Sequence, residues 1–167
     1  MSVSYPLSPA PNTGYDGRMK RKEIFATLAP LLDQLYQFSH ALLPDDLEAE
    51  QLVIDGINGF IIKEKKWLTR LLTDSESESK LRRIFFQKMI SHIYGLATKR
   101  AAHFNSTQEQ PFYELPLRNR AIMTLRYLMN YDAQQIEDFL GLARWEVIEG
   151  IHTGRYMLMN ELTAEAP

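Results

Sequence analysis

The stretch "DAQQIEDFLGLARWEVIEGI", residues 132–151, decides the fold. Asp132 can cap a helix, and Gln135 stands three residues on, the spacing of a capping box. Ile136, Phe139 and Leu140 recur at helical spacing and make one apolar face. Gly141 supplies the backbone freedom that a left-handed helix stop needs. A second periodic set follows in Val147, Ile148 and Ile151. Helix, glycine turn and helix within about twenty residues is the helix-turn-helix layout, and an ordinary helical hairpin inside a core is the alternative. The charge is the odd part. Glu146 and Glu149 stand on the second helix, the one that would lie against phosphates.

The rest of the chain narrows the class. Its 167 residues suit one domain or two small ones. The absence of cysteine excludes a disulfide framework, a thiolate metal site and a cysteine nucleophile. The apolar runs are too short to span a bilayer, and the N-terminus has no basic-then-apolar leader, so the expectation is a cytoplasmic protein with no membrane contact. A net charge of -2 argues against coating nucleic acid by charge alone.

Residues 1–17, "MSVSYPLSPAPNTGYDG", are rich in Ser, Pro and Gly without periodicity, and read as a disordered tail or an arm that folds onto a partner. Helical periodicity starts near Arg18, with Pro30 marking a start or a kink. It continues through "PDDLEAEQLVIDGINGFIIKEKKWLTRLL", weakened at Gly56 and Gly59. "TDSESESK" reads as a loop whose last serines cap the helix "KLRRIFFQKMISHIYGLATKRAAHF". The predicted organisation is all-α. A helical domain over 18–104 and a short linker over 105–112 precede a helix-turn-helix domain over 113–167.

The block "LPLRNRAIMTLRYLMNYDAQQIEDFLGLARWEVIEGIHTGRYMLMNEL" resembles region 4 of the extracytoplasmic-function sigma factors of bacterial RNA polymerase. Leu115-Pro116, Arg118, Arg120, Leu125-Arg126-Tyr127, Ile136, Leu140-Gly141, Val147, His152, Arg155 and Leu158 carry the match in order. "LYQFSHALLPDDLEAEQLVIDGINGFI" and "SESKLRRIFFQKMISHIYGLATKR" resemble region 2 of that family by pattern. The resemblance implies a first domain that binds polymerase and helps melt the −10 element, and a second that reads the −35 element. By matching position it puts Gln51, Leu52, Asp55 and Ile57 against core polymerase, and the loop Asp74–Ser79 around a flipped promoter base. Arg82, Arg83, Lys88, Lys99 and Arg100 become candidates for the promoter backbone, where neutralised phosphates release counterions. Solvated faces of amphipathic helices are the plainer reading of these charges.

The departures from the family pattern are concentrated in the second helix of the turn. Arg144, Glu146, Glu149 and Thr153 are aimed outward as candidate DNA contacts, with Val147 and Ile151 facing in. Where the family usually carries bases, this chain has Ile148, Gly150, Thr153, Tyr156 and Met157, and Arg155 alone remains. Glu149→Ser with Gly150→Arg would restore its charge. Ala143 replaces a serine cap, a loss of about 1 kcal/mol. From Glu114 onward five bases face eight acids, a balance of the wrong sign for counterion release. The linker of about nine residues reaches at most roughly 30 Å, which favours two domains packed together.

Other chemistry finds no support. His40, His92, His103 and His152 are isolated, and no Gly-rich phosphate loop or nucleophile motif occurs, so neither enzyme activity, metal nor cofactor is expected. The acids Asp45, Asp46, Glu48 and Glu50 suit a helix start better than a calcium loop. Trp145, Tyr156, Met157 and Met159 suit either a core or, if exposed, a protein partner. The expected function is that of a divergent sigma factor working through core polymerase and promoter DNA. The alternative is a sigma-factor mimic that binds an anti-sigma factor or polymerase without reading DNA, and a helical interaction protein with a coincidental motif is a third reading.

Overall fold

Pro30 lies within a single 3-10 turn, Ala29–Leu31, that runs straight into α1, Leu32–Leu42, as suits a ring with fixed φ and no N–H to donate. The computed structural model describes residues 26, 28–64, 78–101 and 110–164. Among these every element is helical, so the protein is all-α. The tail 1–17, residues 74–77 of the serine-rich loop, and 105–109 of the linker lie outside the described residues.

The acidic run is a helix start. Asp45 accepts the Glu48 N–H at 3.0 Å and opens α2, Asp46–Lys63, where Asp46 and Glu48 also favour the positive end of the helix dipole. The helix carries on through Gly56 and Gly59 without a break. α3 is Glu78–Ala101, and α4 is the short Pro111–Glu114, which begins inside the expected linker. α5, Leu117–Met123, passes into a π-helical turn, Thr124–Leu128, and Asn130 at φ 59 follows it. α6, Ala133–Leu140, starts on Asp132 with a complete capping box to Gln135 and stops at Gly141 with φ 66. α7, Arg144–Ala164, completes the helix-turn-helix. None of the helices in the described residues is long and apolar enough to cross a membrane.

The packing follows from the apolar periodicity. Leu35, Phe38 and Leu42 of α1 meet Leu52, Val53 and Phe60 of α2 and Phe85, Met89, Ile90 and Ile93 of α3. The Phe60 and Phe85 rings sit edge to face at 5.6 Å. Ala121, Ile122 and Leu125 of α5 join Ile136, Phe139 and Leu140 of α6 and Val147 of α7 in the same continuous cluster. Phe86 joins the two blocks. It stacks on Tyr131 at 5.6 Å and meets Phe139 edge-on at 5.9 Å.

Close approach of α5 to α7 depends on two glycines. A Cβ on Gly150 would come within 2.4 Å of Ile122 Cδ1, and one on Gly154 within 2.8 Å of Met123 Cγ. Gly150 is therefore a packing position, and Gly150→Arg cannot add surface charge as the sequence alone suggests. Gly150→Leu is expected to lower stability by about 1–3 kcal/mol through overpacking, despite better helix propensity, which urea unfolding measures directly.

Candidate functional site

The helix-turn-helix is built from local hydrogen bonds and one buried layer. Ile136, Phe139 and Leu140 of α6 and Val147 of α7 are buried, and Ile151 is half-buried against them. The cap missing at Ala143 is replaced from the other side. Glu146 Oε2 accepts the Ala143 N–H at 2.8 Å, which is half of a capping box.

The acids that looked misplaced have an internal partner. Arg118, near the start of α5, reaches Glu146 Oε1 at 3.4 Å with Nη1 and Glu149 Oε2 at 3.2 Å with Nη2. Arg144 Nη1 lies 3.2 Å from Glu137 Oε1 on α6. Such exposed pairs add little stability, at most about 1 kcal/mol each. Their consequence is electrostatic: Arg118 and Arg144 are already paired with carboxylates of the same block. Arg126 donates to the Tyr131 carbonyl at 3.1 Å, and Arg120 is buried at 8% exposure. Burial pulls the Arg120 pKa below its ordinary value. Among the described residues of this block, Arg155 alone is a base that stands exposed without an internal partner.

What α7 does present outward is apolar. Trp145, Ile148, Tyr156 and Met159 are 65%, 40%, 68% and 60% exposed. Steps of three or four residues, with His152 between, put them on one stripe. Met157 is half-buried and falls outside it. The spacing of these residues was visible in the sequence, but their exposure was not.

The positions matched to a polymerase contact do not form one patch. Leu52 is fully buried in the core, so it cannot touch a partner. Gln51 and Asp55 share a face, where Gln51 Nε2 donates to Asp55 Oδ1 at 2.9 Å. Arg100 of α3 pairs with Asp55 and lies 3.8 Å from Glu48. Ile57 is half-buried, about half a turn around α2 from Asp55. A helical period, not a run of neighbours, decides which of the four can be reached.

The candidate backbone-binding bases are likewise dispersed. Arg82 and Arg100 fall on one side of α3, Lys88 and Lys99 on another, and Arg83 on a third. Arg83 and Lys99 are exposed, whereas Arg82, Lys88 and Arg100 are half-buried. His92 packs edge-on to Phe60 at 6.2 Å, and burial, then Lys63, lowers its pKa. No group of three metal-ligating side chains occurs among the described residues.

One feature had no trace in the sequence. An open groove of about 600 Å³ runs between α1, α4, the π-helical turn and the C-terminal part of α7. Its walls include Tyr36, His40, Tyr113, Thr124, Leu128 and Leu158. The Tyr36 hydroxyl donates to Asp46 Oδ1 at 2.8 Å, and that carboxylate raises the Tyr36 pKa. His40 Nδ1 and the Tyr113 hydroxyl are 3.4 Å apart, linking the first block to the second.

No family model matches the chain, and no curated protein does. Among solved structures it is similar to the sigma factor RpoE in its co-crystal structure with the anti-sigma factor NepR from Bartonella quintana. The TM-score is 0.60 at 16% identity, over 87% of this chain and 99% of that one. At that identity the likeness is one of fold.

Proposed function

We propose that the chain is a sigma-factor-like regulator of transcription initiation that acts through protein contacts and does not read a promoter with its helix-turn-helix. The observation that carries this is Arg118 held between Glu146 and Glu149, beside an α7 whose outward stripe is Trp145, Ile148, Tyr156 and Met159. A phosphate-facing helix gains affinity by releasing counterions, and internal ion pairs remove that gain. An exposed aromatic stripe is the composition of a protein interface instead. The partner class is an anti-sigma-type protein or core polymerase, in the cytoplasm. The likeness to a sigma factor bound to an anti-sigma factor supports the first of these.

The second reading is a sigma factor that directs initiation through core polymerase and promoter DNA. The intact motif favours it, with its Asp132 capping box and left-handed Gly141. Run-off transcription on fragmented genomic DNA with purified bacterial core polymerase separates the two. The proposal expects no transcript class beyond that of core polymerase alone. RNA 5′ ends gathered behind one shared motif would replace it with the sigma-factor reading.

A further inference from the structure

The groove is lined by adjoining rings. Tyr36 and His40 stand one turn apart on the same face of α1, with centroids 6.0 Å apart. Tyr113 of α4 meets His40 edge-on at 6.4 Å, and Phe112 meets Tyr113 edge-on at 5.3 Å. All four line the groove, so its aromatic surface continues from one helix to the other. Much of the remaining lining is aliphatic, from Ala41, Met123, Leu128 and Leu158. Exposed Gln37 and Tyr127 add hydrogen-bonding groups.

A surface of this composition suits a proline-rich segment. Proline rings pack on aromatic ones, and a polyproline II backbone makes no internal hydrogen bonds, so its carbonyls are free to accept from the lining. Residues 5–11 of this chain, "YPLSPAP", have that character. Pro6, Pro9 and Pro11 fix their own φ, and each turns the residue before it, Tyr5, Ser8 and Ala10, away from the helical region. Pro6 and Pro9 are three positions apart, one turn of polyproline II, which puts them on one side of such a segment. The segment carries no charge, which matches an apolar groove. The chain from Pro11 to Leu28, at the start of the turn that leads into α1, reaches up to about 55 Å when extended. Tyr36 is only about two helical turns beyond Leu28, well within that reach.

We propose that the groove is the docking site of the chain's own N-terminal segment, with Pro6 and Pro9 packed on the rings of Tyr36, His40, Tyr113 and Phe112. Tethering lets even a weak site fill. It holds the segment at an effective concentration on the order of 1 mM, so a segment with a Kd of about 0.1 mM as a free peptide is about nine-tenths docked. The docked segment bridges α1 and α4, and so ties the first block to the second. The inference stands apart from whether α7 meets protein or DNA.

The test uses the full chain. It has no cysteine, so Ser2→Cys gives a single site for a nitroxide label. The label is expected to broaden NMR signals of Tyr36, Tyr113 and Phe112 far more than those of Trp145, which lies about 20 Å along α7 from Leu158. Pro6→Ala with Pro9→Ala should cut that broadening at least about threefold. A free peptide of residues 4–12 should then bind the doubly substituted chain at the same rings. It should bind the parent, whose own segment competes, at least about fivefold more weakly. Tyr127→Ala, at an exposed position, should weaken the peptide at least about threefold on the doubly substituted chain. Broadening that ignores the proline substitutions or centres on Trp145 would overturn the proposal. So would broadening seen only between a labelled chain and a second, unlabelled one, which would make the occupant another copy. If the label itself disturbs docking, the peptide comparison still decides: equal affinity for parent and substituted chains, or no binding to either, sinks the proposal.

Discussion

Replacing Phe86 by Ala is expected to lower the stability of the protein by about 3–5 kcal/mol, with both blocks lost in one transition. Phe86 is 2% exposed and its ring touches Tyr131 and Phe139 across the boundary between the blocks. Truncation leaves a cavity lined by those rings, and Tyr131 and Phe139, themselves edge to face at 4.7 Å, lose a shared neighbour. The same cluster continues through Met89 and Ile90 into α1 and α2, and through Leu140 and Val147 into α7. A defect there is felt on both sides. Urea unfolding of a Trp67→Phe background, which leaves Trp145 as the one tryptophan, followed by circular dichroism for all helices and by fluorescence for the second block tests this. Coincident curves displaced together are the expected result. Separated midpoints would show that the blocks have independent cores and that the seam between them is weak.

Turning the outward face of α7 basic is expected to raise DNA affinity above that of the parent. Glu149 and Thr153 are both exposed, so Glu149→Lys with Thr153→Arg adds charge without the overpacking that Gly150→Arg would cause. Removing the Glu149 carboxylate also loosens Arg118, whose Nη2 it holds at 3.2 Å. Three units of charge change and a partly released arginine should let about two to three more phosphates be neutralised. The slope of log affinity against log salt then steepens by about that number. Fluorescence anisotropy with a duplex of arbitrary sequence over a salt series measures it. The parent should bind weakly with a shallow slope. A steep slope in the parent would mean that Arg155 and the bases of α3 already engage phosphates, and the protein-contact reading would lose its main support.

These expectations separate what is local in the chain from what is not. The helix-turn-helix was legible because its determinants act within a few residues. Asp132 and Gln135 close their own capping box, Gly141 takes its own left-handed φ, and Ile136, Phe139 and Leu140 share a face by helical period. The helix start at Asp45 and the all-α class were legible for the same reason. The sign of the charge on the second block was also plain, as a count. What those charges do was not. Arg118 meets Glu146 and Glu149 across 28 and 31 residues, and no periodicity says which helix lies opposite which. The same applies to Gly150, which looks like a surface position until Ile122 of α5 is packed against it. Leu52 and Asp55 stand on one helix, yet the direction of the core buries the first and leaves the second for Arg100. Arg120 is the extreme case. Nothing near it in the chain marks it as different from Arg118, and only the packing of the helices buries its Nε and Nη1 without a hydrogen-bond partner while Arg118 finds two carboxylates. Local hydrogen bonding and helical period reach a turn or two along the chain, whereas pairing between helices is decided by which apolar faces meet, and that choice belongs to the tertiary structure.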